Sequence, residues 1–120
     1  MKKILLVDDD MATLKGLQMC FGSKNFPTIS ATNVSAAKQL FDTEEISLVC
    51  TDWDLPGGKT GLDILTYARE RNIPVVFLTG HDEDNYEKIA LEKGAVRYYI
   101  KGQFLYLKFR DDLIELANRE

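Results

Sequence analysis

Cysteine, histidine and proline are all scarce in this 120-residue sequence, with two, one and three copies respectively. Cys20 and Cys50 make no C-x-x-C motif, and no cluster of histidine and cysteine is present to hold zinc. Both cysteines are expected to be small core residues. Long apolar runs are missing as well. The start, MKKILLV, resembles the charged front of a secretory signal, but only Ile4 to Val7 are apolar before Asp8, Asp9 and Asp10 follow. A signal core needs about 7–15 apolar residues, and a membrane span needs roughly 20. The expectation is a cytoplasmic protein with no membrane partner. Positive charge is also short: 15 Lys and Arg stand against 19 Asp and Glu, a net charge of -4, with no basic run. Direct nucleic-acid binding by this chain is therefore not expected, because phosphate contacts need a basic face.

Repeats, low-complexity tracts and linkers rich in Pro, Gly or Ser are absent too. What remains is an ordinary globular balance, 45% hydrophobic and 28% charged, at a length that suits one domain over residues 1–120. Five short apolar runs alternate with amphipathic stretches. The runs are Lys3–Val7, Thr28–Ala31, Ile46–Thr51, Pro74–Thr79 and Val96–Lys101. ILLV, ISLVC and PVVFL are continuous rather than alternating, as expected of parallel strands buried on both faces. Between them, apolar residues recur at helical spacing: Met11, Leu14, Leu17 and Phe21; Val34, Ala37, Leu40 and Phe41; Leu62, Leu65 and Ala68; Ile89 and Ala90; Leu113, Ile114, Leu116 and Ala117. Gly94 is placed to stop the fourth helix. Strict alternation of strand and helix predicts an α/β fold, a doubly wound five-stranded parallel sheet with strand order 2-1-3-4-5.

In such a sheet, ligands bind beyond the carboxyl ends of the strands. Asp8, Asp9 and Asp10 follow the first strand, Asp52 and Asp54 the third, Thr79 and Gly80 the fourth, and Lys101 the fifth. Asp10 stands where the first helix needs an N-cap. The other carboxylates would repel one another and raise each other's pKa without a cation. A few hard oxygen ligands suit Mg²⁺, whereas Ca²⁺ would call for a dedicated loop of which there is no trace.

ILLVDDD, LVCTDWDLPGG, VVFLTG and GAVRYYIKG, in that order, resemble the motifs of response-regulator receiver domains of two-component signalling. The resemblance spans essentially the whole chain. It implies a flavodoxin-like (βα)₅ fold and a phosphorylation switch rather than a metabolic enzyme. Asp52 resembles the phosphoacceptor, attacking the phosphohistidine of a histidine kinase or phosphotransfer protein. By the same resemblance, Asp9 and Asp52 ligate Mg²⁺ directly, Asp8 through water, and Asp54 through its backbone carbonyl. Lys101 and Thr79 contact the phosphoryl oxygens, with backbone N–H groups of Trp53 and Gly80. Thr79 and Tyr98 match the switch pair, which alters a surface made by the fourth helix, fifth strand and last helix toward a downstream effector protein or domain. Asp54 and His81 occupy positions that tune phosphoryl lifetime; a solvent-exposed loop histidine is the simpler reading of His81.

Three features depart from the pattern. Gly102 stands where the family usually has proline after the active-site lysine, and it is expected to reach a similar turn through its own permissive dihedrals. The loop after Asp52, with PGGKTG, is one residue longer than the family usually has before the third helix, and Gly57 and Gly58 predict a mobile segment. QFLYLKF places Phe104, Leu105, Tyr106, Leu107 and Phe109 almost consecutively, too many for one buried stripe. Exposed members of this run imply a partner or homodimer contact.

Three other functions match parts of this sequence. Asp52-Trp53-Asp54 matches the D-x-D of haloacid-dehalogenase-type Mg²⁺ phosphatases, but it lies on the third strand rather than the first. Gly57–Thr60 reads GGKT, yet a phosphate-binding P-loop needs glycine where Trp53 stands. A receiver-like docking module that is never phosphorylated keeps the fold without the chemistry.

Overall fold

The computed structural model describes residues 2–103 and 105–119, so the part of the apolar run that falls on Phe104 lies outside the described residues. Five parallel strands form the main sheet: β1 (Lys3–Val7), β2 (Thr28–Ala31), β3 (Ile46–Thr51), β6 (Val75–Thr79) and β7 (Arg97–Ile100), in the order β2-β1-β3-β6-β7. Two further strands, β4 (Asp54–Leu55) and β5 (Lys59–Thr60), make a small antiparallel ribbon. Counted within the main sheet, this is the expected 2-1-3-4-5 order. Pro74, Val96 and Lys101 lie one residue outside their strands.

Each central strand serves two cores because successive side chains leave on opposite faces. Leu5, Val7, Val49, Val75 and Phe77 pack against α2 (Val34–Thr43), α3 (Gly61–Arg69) and Ala90 of α4 (Asp84–Glu92). Ile4, Leu6, Leu48, Cys50, Val76 and Leu78 face α1 (Met11–Gly22) and α5 (Tyr106–Asn118) on the other side. Continuous apolar runs are thus required by burial on both faces. Each fully buried Leu, Val or Phe contributes about 1.5–3 kcal/mol.

Helix ends follow from the caps. The Asp10 carboxylate accepts from the Ala12 amide, Asn33 caps α2, and Thr60 with Asp63 forms a capping box at α3. Gly94 takes φ +112 after α4, the left-handed conformation that glycine tolerates.

Several expectations are corrected. Met11, assigned to the buried stripe of α1, is 56% exposed; the stripe begins at Leu14. Cys20 is only half-buried, with its Sγ 3.8 Å from the Tyr106 carbonyl oxygen, while Cys50 is in the core; both are free thiols. The glycine-containing loop is a hydrogen-bonded hairpin, Asp54 opposite Thr60 and Leu55 opposite Lys59, in which Gly57 and Gly58 supply the positive φ of the turn. In the last helix Phe109 is buried, and Leu105, Tyr106 and Leu107 are exposed. Among the described residues, no helix is long and apolar enough to cross a membrane.

Candidate functional site

Parallel pairing brings the strand ends to one edge. Val7 pairs with Thr51, Thr51 with Phe77, and Thr79 with Ile100. The residues immediately beyond therefore share that edge. The Asp52 amide donates to the Val7 carbonyl at 2.9 Å, and the Lys101 amide donates to the Thr79 carbonyl at 2.8 Å. These backbone bonds orient the side chains before any ligand arrives.

Asp8, Asp9 and Asp52 each offer a carboxylate oxygen, and the three lie within 4.8 Å of one another. Lys101 Nζ sits 2.9 Å from Asp8 Oδ2 and 3.2 Å from Asp52 Oδ2. Asp8 is buried, Asp52 half-buried and Asp9 exposed, so the cluster opens to solvent on the Asp9 side. Burial holds the Asp8 carboxyl above the usual carboxylate range, with the Asp10 amide and Lys101 pulling the other way. Burial alone would lower the Lys101 ammonium. Its hydrogen bond to Asp8 and the charges of Asp52 and Asp8 outweigh that and hold it above the ordinary lysine range. A trio of hard oxygen donors, one of them disfavoured as a buried anion, is chemically suited to a small hard cation.

Around this cluster, the Trp53 amide donates to Asp52 Oδ1 at 2.6 Å. Thr79 is buried, and its Oγ1 accepts from the His81 amide at 3.4 Å. Gly80 is exposed at the end of β6. Gly102 follows Lys101 with φ +82, and no peptide bond among the described residues is cis. The expected turn is therefore made by a left-handed glycine.

Not every singled-out residue joins the cluster. The Asp54 carboxylate points to His81, Oδ2 to Nε2 at 2.6 Å, and is largely exposed. His81 is thus no free loop histidine. Tyr98 pairs with Phe77 across the sheet, stacks on its ring with centroids 6.0 Å apart, and donates its hydroxyl to the His81 carbonyl at 2.7 Å. Tyr99 points to the opposite face and packs on Phe109.

Two contributors escaped the sequence. The Thr51 hydroxyl, fully buried, donates to the Asp52 carbonyl at 3.0 Å. Gly61 donates its amide to the Trp53 carbonyl at 2.7 Å, and a Cβ there would sit 2.4 Å from the Asp52 carbonyl oxygen and 2.6 Å from Phe77 Cε2. A glycine in the first turn of a helix costs about 1 kcal/mol relative to alanine, a signal that points to such a close approach. GGKT forms the hairpin turn and the α3 cap, not a phosphate loop.

Residues 4–104 match the family described as the response regulator receiver domain. The chain is 34% identical over 99 residues to the aerobic respiration control protein ArcA of Escherichia coli K12, covering 82% of this chain and 41% of that protein. It is 33% identical over 102 residues to the response regulator protein PilR of Pseudomonas aeruginosa, covering 83% and 23%. The chain therefore spans less than half the length of these curated relatives. Among solved structures, a receiver domain of a Francisella response regulator superposes with a TM-score of 0.86 at 25% identity, covering 99% of this chain and 98% of that one.

Proposed function

This chain belongs to the response regulator receiver domain family, and from that premise we propose that it is a switch in which Asp52 accepts a phosphoryl group. The donor is the phosphohistidine of a histidine kinase or phosphotransfer protein, and residues 1–120 act as one receiver unit in the cytoplasm. The observation that carries the reading is the convergence of Asp8, Asp9, Asp52 and the Lys101 ammonium at the carboxyl edge of the sheet.

One Asp52 carboxylate oxygen attacks phosphorus while the bond from phosphorus to the imidazole nitrogen of the donor breaks. Because the transition state is loose, the protein's task is positioning and charge neutralisation. Lys101, already within 3.2 Å of Asp52 Oδ2, supplies a fixed positive charge for the incoming oxygens. Thr79 offers its hydroxyl, and the amides of Trp53 and Gly80 line the cradle. Asp9 and Asp52 would hold Mg²⁺ directly, with Asp8 through water and Asp54 through its carbonyl; the ion's contribution is to neutralise charge on the phosphoryl oxygens. This accounts for an acidic cluster at a site that must receive an anion.

The added charge at Asp52 draws the Thr79 hydroxyl toward it, and Tyr98, hydrogen-bonded to the His81 carbonyl, moves with the same loop. The readout is the face made by α4, β7 and α5, offered to an effector protein or domain. Exposed Leu105, Tyr106 and Leu107 support a protein contact at the start of α5, a second copy being one candidate. Incubation with acetyl phosphate and MgCl₂ should add one phosphoryl mass to the intact protein and none to Asp52→Asn. An unmodified, folded wild type would instead support a docking module without phosphorylation.

A further inference from the structure

Two glycines are packed too tightly to bear a side chain: one opens α3, and the other receives its last turn. Among the described residues, a Cβ at any of the remaining glycines would meet nothing within 4 Å. At Gly61, the first residue of α3, it would sit 2.4 Å from the Asp52 carbonyl oxygen. At Gly94, just past α4, it would sit 2.4 Å from Nη1 and 2.6 Å from Cζ of Arg69, the last residue of α3. Arg69 Nη1 donates to the Lys93 carbonyl at 2.7 Å. Lys93 is the C-cap of α4, where carbonyls lack helical donors and a cation is favourable. Between its two contacts α3 is stiff: a capping box closes its start, and Ile64, Leu65 and Ala68 are buried along it. Its 9 residues span about 13 Å. α4 is held more lightly. Only Ala90 is buried, and the N-cap Glu83 makes no side-chain bond. Ring contacts of Tyr86 with His81 and Trp53 fix its start, which leaves Ala90 and Arg69 to fix its end.

We propose that α3 is a strut coupling the state of Asp52 to α4, with Arg69 as its output contact. The inference rests on the reading of Asp52 as phosphoacceptor, and it adds a route separate from Thr79 and Tyr98. Gly61 is joined to the acceptor segment twice, by its amide hydrogen bond to the Trp53 carbonyl at 2.7 Å and by its close approach to the Asp52 carbonyl. That joint has no slack, so a displacement of the Asp52–Trp53 backbone on phosphorylation is taken up by α3. The buried face keeps the helix intact, and the shift emerges at its exposed last turn. There the bond from Arg69 to the Lys93 carbonyl lengthens and leaves its axis, which weakens it steeply. α4 then loses the cation at its C-terminus, and its last turn opens more often. An exposed charge at a helix end corresponds to about a two- to fivefold change in that opening. Coupling between two sites is reciprocal, so a partner that requires the closed last turn of α4 would favour unphosphorylated Asp52.

The amides of Lys93, Gly94 and Ala95 report on this joint, because they bond the Ile89, Leu91 and Ala90 carbonyls and close the last turn of α4. Their hydrogen exchange is followed by NMR in wild type, Arg69→Ala and Arg69→Met, with MgCl₂ and with or without excess acetyl phosphate. Intact mass measures the label. In wild type, labelling should speed exchange of these amides about two- to fivefold. Both variants should take the label as wild type does, since Arg69 touches no reacting group. Before labelling they should already exchange faster by the same factor, and labelling should change them little. A contact that merely caps α4 would speed exchange equally in both states and leave the response to labelling intact; that result overturns the inference. Wild-type amides indifferent to the label overturn it as well, as do variant amides that exchange like wild type. If Arg69→Ala does not fold, Arg69→Met, which keeps a stem over Gly94, supplies the same comparison, and the wild-type response stands as a test without either. Absence of any label in the folded wild type removes the phosphoacceptor reading and the inference together, whereas normal labelling with an unresponsive α4 removes only the inference.

Discussion

Replacing Lys101 with methionine tests whether the ammonium offsets the carboxylates around it. The substitution keeps most of the aliphatic stem and removes the charge that lies 2.9 Å from Asp8 Oδ2 and 3.2 Å from Asp52 Oδ2. Breaking a fully buried pair costs about 3–5 kcal/mol, and an exposed pair is worth about 0–1 kcal/mol. The Asp8 side chain is 4% exposed and that of Lys101 31%, so the expected loss lies between these limits, about 2 kcal/mol. Urea unfolding without divalent cation at neutral pH should show this loss as a lower midpoint at unchanged slope. Adding MgCl₂ should recover more stability in the variant than in wild type. The pH dependence has a definite sign. The folded-state carboxyl of Asp8 is raised, so its protonated form favours the folded protein, and the benefit is lost as pH rises through the folded-state titration. Without Lys101 the carboxyl rises further, and the deficit of the variant should shrink as pH falls toward about 4. A deficit equally large at acid pH and indifferent to Mg²⁺ would refute the argument.

Other predictions follow from single contacts. Gly61→Ala should destabilise by about 1–3 kcal/mol in urea melts and reduce phosphoryl labelling, since its Cβ would press on the Asp52 carbonyl and Phe77; full stability and labelling would contradict the clash. Phe109→Ala should lose about 3–5 kcal/mol, because its ring is buried against Phe21 and Tyr99; a loss below about 1 kcal/mol would show that α5 is loosely docked. Burial and the nearby Glu87 and Glu83 push the Tyr98 hydroxyl up to about 12. Its contribution to stability should be complete below about pH 10 and vanish as pH passes about 12. An ultraviolet titration should lose its latest component in Tyr98→Phe, and an unchanged curve would count against the burial.

The layered α/β architecture was legible in the pattern of residues, because a strand buried on both faces must be continuously apolar and a covering helix must repeat every three or four residues. It also put Asp8, Asp52, Thr79 and Lys101 at one rim, since strands running the same way end on the same edge. The family motifs, rather than any physical pattern, suggested what those residues do. Periodicity could not tell how far each stripe is covered, and Met11, helical and apolar, emerges in solvent. Composition suggested a mobile loop at Gly57 and Gly58, but cross-strand pairing of Asp54 with Thr60 and Leu55 with Lys59 makes a hairpin. The contact of His81 with Asp54 and Tyr86 arises only when loops from different strands and a helix meet. Such contacts depend on the relative placement of whole elements, which packing of two separate cores decides and which no local run of residues encodes.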